Sequence, residues 1–426
     1  MKAKILIVGG GIMGTSIAVE AARRTDALRS PVVLLERSSM GAASVGRSAG
    51  ILWLNYADRS VAVMARDSLR AYSAFEARSG RTIGFQKTGV LTIASPDQPD
   101  WIGRLEANVA MANEVGIPIE MVDAARIRKL VDGVSVRSGS VGAWEPLAGH
   151  VNPEATLNGF ASLARTYGAA TRVGVEVTDI KVEGGRVVGA ETSEGDYVTD
   201  QIVIAAGAWS DGLLRKLGVT YPLRTTRSEN VFFALADVED DEVTHEDEHG
   251  AGLGFDMEDD PYERSDSPAE ATASGYHPIV VDLENGMYCR CEPPLRARVG
   301  RTDYYDGPAL EDPEQLDETV SDETVAWAHE KLCARIPSYS ERAHIGSSVG
   351  WHTVTPDAQA ILGRVEGIEG LYIATGFSGH GFKLAPSVGE GIAQILFDEP
   401  VTAFEPDFFS PDRFDGTEEW GGKFGL

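Results

Sequence analysis

The chain has 426 residues, 43% of them hydrophobic, and 65 acidic against 38 basic side chains leave a net charge of −27. That length suits two domains better than one core, and the charge excludes nucleic acid and anionic membrane surfaces as partners. Many carboxylates and few lysines, nine against 29 arginines, resemble proteins of salt-loving archaea, where screening over about 3 Å lets like charges crowd.

Residues 4–8, KILIV, form an apolar β-rich run, and GGGIMG follows before TSIAVEAARR, whose spacing suits a helix packed on a sheet. The start MKAKILIVGGG lacks a small-residue cleavage site, so it reads as a strand and not a leader. PVVLLER at 31–37 is the next buried strand. Strand, turn, helix and strand open a dinucleotide-binding unit. Gly9, Gly11 and Gly14 make G-x-G-x-x-G, with Ile12 and Met13 between them. The first glycine permits the turn, the second admits a pyrophosphate, and the third lets helix and strand close up. Glu36 ends the second strand, where a carboxylate accepts ribose hydroxyls and disfavours a 2′-phosphate. GAASVGRSAG at 41–50 places Arg47 among small residues, which lets backbone lie against a flat ring system or a pyrophosphate.

Helices are predicted over 60–80, ending at Gly80, and over 101–116, with strands between them in 85–95. Proline at one end and glycine at the other punctuate a helix over 153–168. Three strand candidates follow, the first two joined by a hairpin at Gly184–Gly185, and GLLRKLG is a short helix. Residues 237–274 hold fifteen acidic side chains and one basic one, Arg264, and are expected to be an exposed, mobile insertion. Within them His245 to His249 spells H-E-x-x-H, but no apolar stripe accompanies it, so no metal site is expected. Strands resume at 230–235, 278–283, GMYCRCE and ARVGRTD, and a helix is expected at about 320–335. Cys289, Cys291 and Cys333 are too few for a disulfide framework and suit a reducing cytoplasm; no run of residues is apolar and long enough to cross a membrane. Finally LYIATG at 371–376 is a buried strand, GFSGHG a turn, and the helix after it is predicted to start near Pro386.

VGGGIMG, the strand ending in Glu36 and Arg37, and GAASVGRSAG together resemble the D-amino-acid-oxidase-type family of FAD-dependent oxidoreductases. QIVIAAGAWSDGLLRKLG resembles that family's second FAD-contacting strand and turn, and residues 355–396 are the most specific block. The resemblance spans nearly the whole chain except the acidic segment. It implies an α/β fold with a doubly wound FAD-binding domain from about 1–80, 150–225 and 340–400. A β-rich substrate domain would come from 81–149 and 226–339, leaving 401–426 as a tail. It implies FAD and oxidation of the C–N bond of a small amino acid of the sarcosine, glycine or D-amino-acid type, with O2 or a quinone-type carrier as acceptor.

Beyond the fingerprint residues, the resemblance assigns Ser44, Arg47, Ser48, Ala49, Val177, Ala206, Gly207 and Trp209 to the cofactor. It adds Gly376, Ser378, Gly379, His380, Gly381 and Phe382, a loop and helix start that would stabilise negative charge developing on the flavin edge. Lys383 matches the family's carboxylate-holding lysine. Among Arg47, Arg290, Arg298 and Arg301, Arg290 is the first candidate for its partner and Arg298 the second, with Tyr288 expected on a different face from Arg290. A family cysteine that bonds the flavin is replaced by Gly350, so FAD is expected to be non-covalent. A family histidine is replaced by Thr302, with His352 as a partial substitute. Oxidation of a 2-hydroxy acid, or a non-catalytic assembly role with structural FAD, are the alternatives.

Overall fold

The computed structural model describes residues 1–26, 31–235, 276–292, 296–302, 307–414, 416 and 420. The acidic segment, with Arg264 and the H-E-x-x-H run, lies outside the described residues. Two large sheets organise the α/β chain. The first has six strands in the spatial order Ile361–Arg364, Leu371–Thr375, Ile202–Ile204, Ile5–Val8, Val32–Glu36 and Ala170–Val173. All its pairings are parallel except that of Ile361–Arg364 with Leu371–Thr375. The four inner strands read as apolar runs because both their faces are covered, while the edge strand Ala170–Val173 is partly exposed. One face packs against the helices Ile12–Arg23, Pro153–Thr166 and Gly381–Leu396. The other packs on a three-stranded antiparallel sheet that includes the hairpin Val177–Glu183 and Arg186–Thr192. Gly184 and Gly185 both take positive φ at that turn, 59° and 79°, the geometry that matches strand twist.

The second sheet has nine strands and draws on residues 90–145, 224–310 and the long strand His344–Val354. That last strand pairs with Arg224–Ala234 over nearly its whole length. One face of this sheet, with Leu91, Ile93, Cys289 and Cys291, covers the helices Ala124–Leu130 and Asp322–Arg335. The opposite face looks toward the first sheet. Tyr288 and Arg290 share it, because residues two apart on a strand point the same way; the expected separation of the two does not occur.

Two helix predictions need revision. The run over 60–80 is two helices, Arg59–Ser73 and Phe75–Ser79, parted at Ala74 and closed by left-handed Gly80. The last long helix begins at Gly381, not near Pro386, which sits inside it. A proline there removes the N–H that would bond the carbonyl of Phe382. The buried hydroxyl of Tyr72 donates to that carbonyl instead, at 2.6 Å. A tertiary contact thus replaces the lost bond, and the helix extends one turn further than its proline suggests.

One buried ion pair ties the second sheet to its helix. Arg335, 2% exposed, donates to both oxygens of fully buried Asp282 at 2.6 and 2.9 Å, to Glu284 at 2.9 Å, and to the Ser135 carbonyl at 2.6 Å. Arg335→Met leaves Asp282 buried without its cation. Urea unfolding is expected to show a loss of about 3–5 kcal/mol.

Candidate active site

A cavity of about 690 Å³ runs between the two sheets, from Gly9 and the start of the first helix to Lys383. Its first part is a backbone cradle. Gly9 has φ +116°, and a Cβ there would lie 2.4 Å from the Ala205 carbonyl oxygen. A Cβ on Gly14 would lie 1.9 Å from the Gly9 oxygen, so helix and strand are in backbone contact. Gly11 caps the helix Ile12–Arg23 without any side-chain hydrogen bond, and no acidic residue occupies the first turn. Its free N–H groups, with the helix dipole, suit phosphate. Glu36 Oε2 accepts from Gly10 N at 2.8 Å, and Oε1 from Ser38 N at 2.9 Å, which fixes the carboxylate beside the cradle.

Ile12, Met13, Glu36, Arg37, Ser44, Arg47, Ser48 and Ala49 line the cavity with Gly9 and Gly11; Gly14 lies behind them. Val177, Ala206, Gly207 and Trp209 form the wall opposite. Arg37 stacks on Trp209, 4.3 Å from its centroid, and pairs with Glu314. Gly376, Ser378, Gly379, Gly381, Phe382 and Lys383 close the far end. Ser378 takes φ +49° in this turn, and its N–H donates to the Thr353 carbonyl at 2.9 Å. His380 packs just behind, with Nδ1 3.3 Å from the Tyr56 hydroxyl. A long cavity with a phosphate cradle at one end, a ribose-type carboxylate and a small-residue wall fits FAD.

The far end is electrostatically unusual. Lys383 is 8% exposed and stands in the first turn of the helix Gly381–Leu396. Its Nζ lies 4.4 Å over the Trp53 ring. Among the described residues it has no hydrogen bond and no ion pair within 4 Å. Burial pushes its pKa down to about 7, and the nearby Glu145 carboxylate opposes that shift. Burial and Lys383 together push His352, which lines the cavity, down to about 4, and His380 well below its ordinary value. Both imidazoles are therefore neutral near pH 7.

The arginines are differently placed. Arg47 stacks 4.9 Å from the Trp351 centroid and pairs with Glu318 at 2.7 Å. Arg298 donates to Glu292 at 2.5 Å and to the Arg47 carbonyl at 2.9 Å. Arg290 lies 3.4 Å from the same Glu292, and burial pushes it down to about 10. Neither Arg290 nor Arg298 lines the cavity. Arg301 stacks on Trp327, 3.8 Å away. The structure therefore groups Lys383 with His352, His380 and Trp53, and groups Arg290 with Arg298, Glu292 and His150. Thr302 is buried outside the cavity lining. Gly350 lines the cavity, and a Cβ there would lie 3.2 Å from Arg47 Cβ; no cysteine lines it. Cys289 and Cys291 face the second core instead. Among the described residues no group of three or more His, Cys, Asp or Glu is placed to hold a metal ion.

Sequence reasoning missed Trp53, Tyr56 and Glu145. Glu145 is fully buried at the end of Val141–Glu145, and its Oε2 accepts from the amides of Leu54 and Asn55. The one available signal was a charged residue closing the apolar run VGAWE.

The family model for FAD dependent oxidoreductases matches residues 4–395, and the chain belongs to that family. Among individual proteins it is similar to 4-methylaminobutanoate oxidase (formaldehyde-forming) of Paenarthrobacter nicotinovorans, 26% identical, over 97% of this chain and 46% of that protein. It is also similar to monomeric sarcosine oxidase of Streptomyces avermitilis, 26% identical over 94% of this chain and 96% of that one. The chain spans less than half the length of the first curated relatives it matches. L-proline dehydrogenase from P. horikoshii shares the fold, with a TM-score of 0.82 at 22% identity, covering 98% of this chain and 99% of that one.

Proposed function

We propose that the protein oxidises the C–N bond of a small amino acid or N-methyl amino acid, whose carboxylate docks on Lys383. The carrying observation is a buried lysine without an ionic partner among the described residues, at the far end of a cavity that begins in a dinucleotide cradle. A lone buried cation is costly, and an anionic ligand offsets that cost. FAD held in the cradle would supply the acceptor for the two electrons removed from the substrate. Gly9, Gly11 and the first turn of the helix Ile12–Arg23 hold its phosphates, and Glu36 its ribose. Gly350 stands where a linking cysteine would be needed, so attachment is non-covalent. His352 and His380, both neutral, leave Lys383 as the cation of the site. The names of the relatives, a methylaminobutanoate oxidase and a sarcosine oxidase, support an amine substrate. O2 or a quinone-type carrier takes the electrons onward. The free thiols of Cys289, Cys291 and Cys333 suit a reducing, cytoplasmic setting, and the acidic composition suits high salt.

The test is anaerobic mixing of the holoenzyme with sarcosine, glycine, proline, D-amino acids and 2-hydroxyglutarate. Flavin bleaching by an amine and not by the hydroxy acid is expected. Bleaching by none of them overturns the reading in favour of a structural flavin. The reactive amine is the deprotonated one, so the reduction rate should climb between about pH 6 and about pH 10. Affinity should move the other way. Lys383 loses its charge as pH rises through about 7, so carboxylate binding is strongest below that point and weakens above it. A pH-independent reduction rate contradicts the mechanism.

A further inference from the structure

Lys383 Nζ rests on the Trp53 ring, and among the described residues no carboxylate lies within 4 Å of it. Something must keep it protonated there. The charged and titratable groups that face it come from four places: Glu145 from the end of Val141–Glu145, His352 from His344–Val354, His380 from the cap of its own helix, and Tyr56 behind His380. Both imidazoles are held neutral by burial and by Lys383 itself, so neither supplies a counter-charge. Glu145 alone among these favours it.

The placement of Glu145 is built into the sheet. It stands beside Val90, which in turn stands beside Ile279, so its cross-strand neighbours are apolar. Oε2 is committed to the amides of Leu54 and Asn55. Those two residues follow Trp53, the ring on which Lys383 rests. Oε1 is buried and has no hydrogen-bond partner among the described residues. A carboxylate with one oxygen uncommitted, buried beside a lysine, is expensive unless each charge supports the other.

We propose that Glu145 is a positioning residue for the carboxylate site: it clamps the Trp53–Asn55 segment under Lys383 and supplies the counter-charge that keeps Lys383 cationic. This rests on the reading that Lys383 receives the substrate carboxylate. The direction of the electrostatics agrees. Glu145 raises the affinity of Lys383 for its proton, while Lys383 and the two amide bonds pull against burial, which still leaves the Glu145 pKa raised to about 8.

The experiment titrates the flavin absorbance of the holoenzyme with acetate, an unreactive carboxylate, across a pH series. Glu145→Gln keeps an acceptor oxygen for the two amides but removes the charge. It is expected to shift the pH at which acetate affinity falls downward by about half to one unit, a loss of roughly 3- to 10-fold in affinity near pH 8. In a Lys383→Arg background, where the cation does not titrate, Glu145→Gln should leave the pH profile unchanged. A merely structural Glu145 would weaken acetate equally at every pH in both backgrounds, and that result overturns the proposal. Should Glu145→Gln lose its flavin, Glu145→Asp carries the test. It retains the charge, so the wild-type midpoint is expected, and a midpoint lowered as far as half a unit refutes the idea. Lys383→Met is run alongside. If it binds acetate as tightly as the wild type, the underlying reading of Lys383 fails; if it does not, only the role of Glu145 is at stake.

Discussion

Lys383→Met is expected to purify with a full complement of FAD and to bind the proposed amino-acid substrate roughly 10- to 150-fold more weakly. The estimate follows from the about 1.5–3 kcal/mol carried by a hydrogen bond to a charged group. The variant should not be less stable. Burial of the ammonium works against folding, as the lowered pKa records, and a methionine sulfur over the Trp53 ring is a favourable contact. The substrate loses its charge-assisted anchor while the cradle, built from residues 9–14 and the wall around Ala206, is untouched. The measurement is anaerobic stopped-flow reduction at several substrate concentrations, with flavin content read from the same samples. Loss of flavin, or unchanged substrate binding, contradicts the assignment. The descending limb of the affinity profile above about pH 7 should also vanish, because no titrating cation remains.

The second large effect lies in the cradle, where two glycines should behave differently. Gly14→Val is expected to lose FAD and stability together. Even the first carbon of the new side chain would lie 1.9 Å from the Gly9 oxygen. Helix and strand must then part, at a cost of several kcal/mol, since overpacking alone costs about 1–3 kcal/mol and backbone cannot rotate aside. Gly11→Ala is expected to leave stability unchanged but weaken FAD at least about tenfold. Its φ of −81° suits alanine, and the nearest atom to the added carbon is Val45 Cγ2 at 3.8 Å. Space that is open in the protein alone is then space the cofactor uses. Thermal unfolding of the flavin-free proteins and fluorescence titration with FAD separate the two cases. A Gly11→Ala protein with normal FAD affinity would remove phosphate approach as the reason for that glycine.

Much of the cradle was legible because it is local. Residues 5–36 contain the strand, turn, helix and next strand in sequence order, and glycine spacing records backbone approach directly. The loop at 376–381 was legible for the same reason. The start of its helix was not, since the proline rule is local and the compensating hydroxyl belongs to Tyr72. The arginine candidates show a different limit. Arg290 and Arg298 stand on the strands named for them, yet both turn to Glu292; Arg290 shares a strand and a face with it, whereas Arg298 reaches it from the next strand, a pairing that spacing alone cannot predict.

By itself, then, the sequence determined the dinucleotide unit, the α/β class and the lysine at the end of a glycine-rich turn, because each rests on the backbone freedom or charge of neighbouring residues. Only the tertiary structure decided what that lysine experiences. Its ring support comes from Trp53, its counter-charge from Glu145 and its neutral imidazole neighbour from His352, brought from three separate parts of the chain. The physical reason is burial. Removing water makes each of these contacts matter, and which groups lose water together is a property of the packed sheets and not of any one segment.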